Sequence, residues 1–268
     1  MIHRLRFFDC NCMVGRSPIY EPQPMRLETR DQLVREMGDH GIQEAIVYSA
    51  TTKEQLGEWR PPSDDIVLEW TDGEPRLHPA AVLNLHHTMS MPEPEEDIAQ
   101  MVGRGIRMAV IFPTASYPYL VNEWLCGGLL SALEAHRVPV LLQNSALASR
   151  WPQFERVYGF SVENIDWMCE RYPNLPIILG GVASHSRVLS PLMKRRSNLY
   201  IELSKCFIHQ PIRFFSEHVG IERVLFGSGL PFTGPGPAMT EVHYGQVSEE
   251  AKLLVAGDNL RRLLAEVK

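Results

Sequence analysis

Short apolar runs alternate with longer amphipathic segments from one end of the chain to the other. The runs are almost continuous in apolar residues, which is typical of parallel strands that pack against helices on one side and a filled lumen on the other. The predicted strands are Arg6–Met13, Glu44–Ser49, His78–Leu85, Ile106–Phe112, Val138–Asn144, Ile177–Val182, Leu199–Ser204 and Arg223–Ser228.

Several of the intervening segments begin with a helix-capping residue. Thr29, Ser161 and Ser248 each stand directly before an amphipathic segment, where a hydroxyl can accept a hydrogen bond from the first helical turn. The helices predicted from these starts are Arg30–His40, Val162–Arg171 and Glu249–Leu264. Gly41 follows the first of them, at the position where a left-handed residue commonly ends a helix.

Eight strand–helix pairs in 268 residues predict one closed (β/α)8 barrel, a TIM barrel that forms a single domain over residues 1–268. An open, doubly wound sheet would normally carry a glycine-rich phosphate turn after its first strand, and Met13–Pro18 is not such a turn. The second strand–helix pair matches the pattern least well, because residues 51–76 contain only a short predicted helix near Ser63–Trp70.

Composition narrows the kinds of partner. The formal net charge is −6, and the longest basic run is the triplet at 194–196, so neither nucleic acid nor an anionic membrane is expected. No apolar stretch reaches the roughly 18 residues of a membrane span. The five cysteines are scattered and odd in number, which favours reduced thiols and a cytoplasmic location. A small molecule is the expected ligand.

The strand ends resemble those of the amidohydrolase-related metal-dependent hydrolases. Residues 8–15 (FDCNCMVG) are similar to the family's first-strand motif Asp-x-His-x-His-x-Gly, and residues 223–232 (RVLFGSGLPF) to its eighth-strand motif Leu-Phe-Gly-Ser-Asp-x-Pro-Phe. Weaker matches are PVLLQ at 139–143, PNLPIILGG at 173–181 and the closing helix at 248–264. Because the matches follow the family's order along the whole chain, the resemblance implies the family's barrel.

The resemblance also implies a set of metal-ligand positions, and there the sequence departs from the family. These positions hold Asn11, Met13, Gln143, Gly181 and Gly229. Amide and thioether groups are weak ligands for Zn²⁺, and glycine offers no side chain. The family aspartate that Gly229 replaces also moves the proton of the attacking water. The resemblance therefore predicts the family's fold without a metal or other cofactor.

Strand alternation predicts which side chains face the lumen. If Asn11 and Met13 point inward like their family counterparts, Cys10 and Cys12 point to the helix layer. The pair at Cys10 and Cys12 is then expected to be structural and buried, rather than a zinc site.

The same alternation predicts a polar pocket at the mouth of the barrel. Asn84 and His86 share one face of the third strand, and Glu202 and Ser204 share one face of the seventh. A carboxylate on a buried strand must be paired or must face a wet lumen. The predicted pocket-lining residues are Asn11, Met13, Asn84, Gln143, Gly181, His185, Ser204, Lys205 and Gly229.

Glu202 has two interpretations. It can form an acid–base pair with His86 or His209, which would make these three residues catalytic. It can equally form a structural ion pair with Lys205 or an arginine and take no part in chemistry. The aromatic loops at 113–120 and 145–160 are similarly open, because their rings could line the pocket or form an interface between copies of the chain.

Two functions follow from these alternatives. In the first, the barrel has lost metal-dependent hydrolysis and is a non-catalytic protein or binds a small molecule. In the second, it is a metal-independent enzyme, such as a lactonase, decarboxylase or isomerase, that acts on a small carboxylated substrate. The sequence favours the first function, because every ligand position of the family is changed.

Overall fold

Eight parallel strands form one sheet in the computed structural model, and they follow one another in chain order from β1 to β8. The structure describes residues 5–15, 27–49, 65–83, 93–111, 121–143, 160–182 and 186–268. The strands are β1 (Phe7–Val14), β2 (Ile42–Ser49), β3 (Leu77–Leu83), β4 (Met108–Ile111), β5 (Val140–Gln143), β6 (Ile177–Gly180), β7 (Leu199–Glu202) and β8 (Val224–Leu225).

Helices alternate with these strands. They are α1 (Arg30–His40), α2 (Asp65–Thr71), α3 (Pro94–Gly103), α4 (Glu123–Ala135), α5 (Val162–Arg171), α6 (Ser186–Arg195), α7 (Pro211–His218), α8 (Gly236–Tyr244), α9 (Glu249–Leu253) and α10 (Asn259–Ala265). The three predicted caps are confirmed, since Thr29, Ser161 and Ser248 each accept a hydrogen bond from the first turn of their helix. Within the described ranges, no helix has the length and apolar character needed to cross a membrane.

The two ends of the sheet meet, which confirms the (β/α)8 barrel. The backbone amides of Cys10 and Met13 donate to the carbonyls of Phe226 and Leu230, at 3.0 and 2.9 Å. A third bond runs from the amide of Gly229 to the carbonyl of Asn11, at 3.0 Å. These bonds join β1 to β8 and the residues just after it, so the barrel is nearly closed.

Alternate residues of each strand belong to two separate apolar layers. On β2, for example, Ile46 and Tyr48 pack inside the barrel, whereas Ala45 and Val47 pack against the helices. The inner layer has the following members on the strands: Phe8, Cys10, Met13, Ile46, Tyr48, Ala80, Val82, Met108, Val110, Leu141, Ile178 and Leu225. This period of two explains why nearly all strand positions read as apolar in the sequence.

The alternation is interrupted within β1, between Asp9 and Cys12, and the prediction that Cys10 faces the helix layer is wrong. Asp9 pairs with Ala45 and Cys12 with Val47, so β1 contains one residue more than β2 over this stretch. Such a bulge shifts the phase of the side chains. Cys10 and Met13 consequently both lie in the inner layer, while Cys12 packs outside as predicted.

The last predicted helix, Glu249–Leu264, is interrupted by a π-helical turn over Leu254–Asp258. This turn widens the helix, and the carbonyl of Val255 accepts a hydrogen bond from the amide of Phe226, at 3.0 Å. The continuation, α10, places Leu260 and Leu263 against the inner apolar layer. The final helix therefore covers the barrel end opposite the predicted pocket.

Candidate functional site

Five buried polar side chains meet where the strands end at the mouth of the barrel. They are Asn11, Tyr48, Gln143, Glu202 and Ser204, which we call the floor network, and each is at most 5% exposed. Asn11 comes from β1, Tyr48 from β2, Gln143 from β5 and Glu202 from β7, with Ser204 just after β7. Sites of (β/α)8 barrels are built at this face.

Glu202 is the acidic member of the network, and its donors in the described structure are uncharged. One carboxylate oxygen, Oε1, accepts from the hydroxyl of Ser204 at 2.8 Å, the amide of Gly181 at 3.1 Å and Asn11 Nδ2 at 3.2 Å. The other, Oε2, accepts from the amide of Ser204 at 2.6 Å. Four donors directed at one carboxyl favour its ionised form, which can only accept.

Asn11 connects this carboxylate to the opposite wall. Its Nδ2 donates to Glu202, and its Oδ1 accepts from the hydroxyl of Tyr48 at 2.7 Å and from Gln143 Nε2 at 2.6 Å. Gln143 Nε2 also donates to the hydroxyl of Tyr48, at 2.9 Å. Both ends of the Asn11 amide are therefore engaged by other side chains of the floor network.

Burial is the largest influence on the pKa values of Glu202 and Tyr48. It raises the pKa of Glu202, although the bonds from Ser204, Gly181 and Asn11 oppose the rise. Burial also raises the pKa of the Tyr48 phenol, with a further contribution from nearby negative charge. Tyr48 consequently remains a neutral hydrogen-bond donor over the physiological range.

A second buried carboxyl, Asp9, lies next to the floor network. Its Oδ1 accepts from the amides of Ser228 at 2.8 Å and Asn11 at 3.0 Å, and the hydroxyl of Ser228 donates to its Oδ2. Burial raises the pKa of Asp9 to about 6; the bonds from Ser228 and Asn11 oppose this rise, and the charge of Glu202 adds to it. Two buried carboxyls thus lie beneath one site.

Glycines make room for the network. A Cβ atom on Gly227 would lie 2.2 Å from Glu202 Oε2, and one on Gly180 would lie 2.9 Å from Gln143 Oε1. At Gly229 the Cβ would lie 2.2 Å from the hydroxyl of Thr233, and the backbone has a φ of +69°. No side chain fits at Gly229 without displacing Thr233 and straining the backbone.

The structure brings together part of the predicted pocket. Asn11, Gln143, Glu202 and Ser204 form the floor network, with the amide of Gly181 donating to it and Gly229 bonded to the carbonyl of Asn11. Met13 lies in the inner apolar layer. Lys205 is half-buried beside Ser204, whereas His209 is exposed, with no contact to Glu202 among the described residues. Asn84, His86, His185 and most of the aromatic loops at 113–120 and 145–160 lie outside the described residues.

The sequence analysis missed three residues of this region: Tyr48, Asp9 and Ser228. Alternation along β2 places Tyr48 with Ile46, so the inward direction of its ring was predictable from the strand pattern. Asp9 is an acid on a buried strand, the same signal that identified Glu202. Ser228 carries no comparable signal, because its role depends on the contact between β1 and the residues after β8.

The sequence matches a known family over most of its length. The family model described as "Amidohydrolase" matches residues 64–265. The chain belongs to this amidohydrolase family. The match begins after β2, so Asn11, Met13 and Tyr48 lie before it. Comparison with curated protein sequences gives no match.

Solved structures with the same fold include three decarboxylases. The 5-carboxyvanillate decarboxylase from Sphingomonas paucimobilis has a TM-score of 0.73 at 15% identity, over 98% of this chain and 99% of that chain. The 2,6-dihydroxybenzoate decarboxylase from Rhizobium has a TM-score of 0.70 at 17% identity, over 98% and 99%. A dihydroxybenzoic acid decarboxylase from Polaromonas sp. JS666, with bound manganese and the inhibitor 2-nitroresorcinol, has a TM-score of 0.70 at 17% identity, over 98% and 97%. At these identities the likeness shows the fold.

Proposed function

We propose that this amidohydrolase-family barrel works without a bound metal ion and binds a small molecule at its mouth, instead of hydrolysing a substrate through a metal. The observation that carries the proposal is the floor network. At two positions where the family resemblance implies metal ligands, Asn11 and Gln143 use their amides to bond each other, Tyr48 and Glu202.

The other three ligand positions support the same conclusion. Met13 packs in the inner apolar layer, and Gly181 and Gly229 have no side chain. Thr233 takes the space into which a side chain at Gly229 would project. Among the described residues, no cluster of three or more His, Cys, Asp or Glu side chains could hold a metal. These five positions therefore do not supply the ligand set that the family resemblance implies, which supports a function without that metal, and no step is assigned to one.

Metal analysis of the purified protein tests this proposal. We expect far less than one Zn²⁺ or Mn²⁺ per chain, and no rise in melting temperature when either ion is added, since a ligand that binds the folded state must stabilise it. About one metal ion per chain that survives dialysis against a mild chelator would overturn the proposal. Protein without a histidine tag is the required sample, because a tag binds these ions itself.

A metal-independent decarboxylase is the second candidate, and the decarboxylases of the same fold favour it. In this function Glu202 would exchange a proton with the substrate, and His86 would be its acid–base partner. Release of CO2 from 2,6-dihydroxybenzoate by the metal-free protein is the direct measurement. A rate that is the same for wild type and Glu202→Gln would exclude Glu202 as the catalytic group.

A further inference from the structure

Glu241 is an acidic residue of α8 that lies outside the floor network. Its carboxyl oxygen Oε2 is buried, yet no donor in the described part of the chain bonds to it. On the helix surface Glu241 is adjacent to Ala238, which is buried, and to Gly245, the residue that ends the helix. The buried edge of α8 therefore carries a carboxyl oxygen that no hydrogen bond of the described structure satisfies.

The turn that carries Glu241 packs closely against α7. A Cβ atom on Gly245 would lie 2.9 Å from the carbonyl oxygen of Glu241 and 3.5 Å from two carbon atoms of Ile212, in the first turn of α7. Arg213, the next residue of α7, donates to the side-chain oxygen of Gln246 at 2.9 Å. The end of α8 and the start of α7 are therefore in direct contact.

Neighbouring charges do not compensate a negative charge at Glu241. Burial alone raises the pKa of its carboxyl to about 7. An ionised Glu241 would therefore be a half-buried charge without a cation, which costs free energy. The titratable side chains of α7, α8 and α9 are paired elsewhere or exposed: Arg213 pairs with Glu217, His218 bonds the carbonyl of Phe214, His243 contacts the ring of Phe7, Lys252 pairs with Glu249, and Tyr244 and Glu250 are exposed.

Loss of the proton should favour a state in which this carboxylate reaches water. When the end of α8 moves away from α7, the carboxyl of Glu241 regains its ordinary pKa of 4.5. Between this value and 7, the packed state holds a proton that the open state has lost, so each rise of one pH unit favours opening by about tenfold. Above pH 7 both states are ionised, and the effect levels off.

We propose that Glu241 makes the contact between α7 and α8 sensitive to pH: the two helices pack together while its carboxyl is protonated, and the end of α8 opens more readily once it is ionised. α7 follows the segment after Ser204, and α8 begins three residues after Thr233. The contact thus joins the two chain segments that leave the floor network on this side. The proposal goes beyond the proposed function and holds whether or not the mouth binds a metal ion.

Hydrogen exchange between pH 5 and pH 9, followed by mass spectrometry and corrected for the intrinsic exchange rate, measures this opening. Glu241→Gln keeps the shape of the side chain but cannot titrate. Relative to this variant, the opening constant of the α8 amides in wild type should rise at least tenfold between pH 5 and pH 7.5 and then level off. The exposed Glu69→Gln is the control and should behave like wild type.

The same pH dependence of α8 exchange in wild type and Glu241→Gln would overturn the proposal. It would also be overturned if the α8 amides had the opening constant of the slowest strand amides, which report global unfolding, because the helix contact would then have no transition of its own. Glu241→Met is a second neutral variant, and it provides the comparison with wild type if Glu241→Gln does not fold.

Discussion

At the scale of single residues, the floor network joins groups that are each costly to bury alone. Glu202 is fully buried, and its charge is balanced by uncharged donors that converge on it. A buried charge with several good hydrogen bonds is tolerated, whereas the removal of one partner leaves the others unsatisfied. Substitutions within the network should therefore be more damaging than their size suggests.

Glu202→Gln tests this balance. The NH2 group of the new amide must replace one of the two carboxylate oxygens. It then faces either the backbone N–H of Ser204 or the three groups that now donate to Oε1, so that in both orientations a hydrogen-bond donor faces another donor. We expect a loss of about 2–4 kcal/mol in the free energy of unfolding, measured in urea at pH 7. The exposed Glu69→Gln is the control and should change stability by less than about 0.5 kcal/mol. A Glu202→Gln protein as stable as wild type would mean that the carboxyl is neutral in the native state.

Asp9 gives a specific pH dependence. Its pKa is raised from 3.8 to about 6, so between these values the folded protein holds a proton that the unfolded chain has lost. The contribution of Asp9 to the free energy of unfolding is therefore greatest below pH 4. It decreases by about 3 kcal/mol as the pH rises to 6.

Asp9→Asn should abolish this fall, because an amide does not titrate. Urea unfolding between pH 4 and pH 7 should show wild type losing about 3 kcal/mol relative to Asp9→Asn. The exposed Asp39→Asn serves as the control and should run parallel to wild type. Parallel curves for Asp9→Asn and wild type would show that Asp9 titrates normally in the folded protein.

At the scale of elements, the strand ends are shaped by their glycines and by one bulge. The extra residue in β1 rotates Asn11 into the lumen, where it can reach Glu202. Glycine at 227 allows Glu202 Oε2 to approach the backbone after β8 more closely than any other residue type would permit. The site therefore depends on backbone geometry as much as on the polar side chains.

Gly229→Asp restores the acid that the family resemblance implies, and we expect it to harm the fold without restoring activity. The new Cβ would lie 2.2 Å from the hydroxyl of Thr233, and the φ of +69° is unfavourable for any side chain. Stability should fall by about 1–3 kcal/mol. Gly229→Ala has the same strain without the charge, so it isolates the cost of the carboxylate. Hydrolysis of an ester or lactone by the Asp variant with added Zn²⁺ would contradict this expectation.

At the scale of the whole molecule, the last helix ties the two ends of the chain together. Arg261 of α10 donates twice to Glu44 of β2, at 2.9 and 2.7 Å, and its guanidinium lies 5.5 Å from the centre of the Phe8 ring. His78 also lies 3.2 Å from Glu44. These contacts are half-buried and lie at the closed end of the barrel, away from the floor network.

Arg261→Met should lower the free energy of unfolding by about 1–3 kcal/mol, because it leaves Glu44 half-buried without the guanidinium that donates two hydrogen bonds to its Oε1. Combining it with Glu44→Gln completes a double-mutant cycle that measures the interaction itself. We expect the double variant to be less destabilised than the sum of the two single variants. Additive effects would show that the pair contributes nothing beyond the packing of each side chain.

The sequence by itself determined the barrel, its helix caps and the inward direction of Glu202. These features are local: a period of two defines each strand, and capping needs residues only a few positions apart. The family resemblance added the order of the strands and the positions at which this chain differs from the family's metal-ligand motifs. Together they predicted four of the five side chains of the floor network.

The tertiary structure alone decided how those side chains meet. The bulge in β1 depends on register against β2, which strand periodicity does not encode, and it placed Cys10 in the lumen against expectation. Tyr48 and Gln143 lie 95 positions apart in the chain, and they bond only because the barrel brings β2 and β5 to a common centre. Contacts across a closed sheet depend on its shear and closure, and these are properties of the whole barrel.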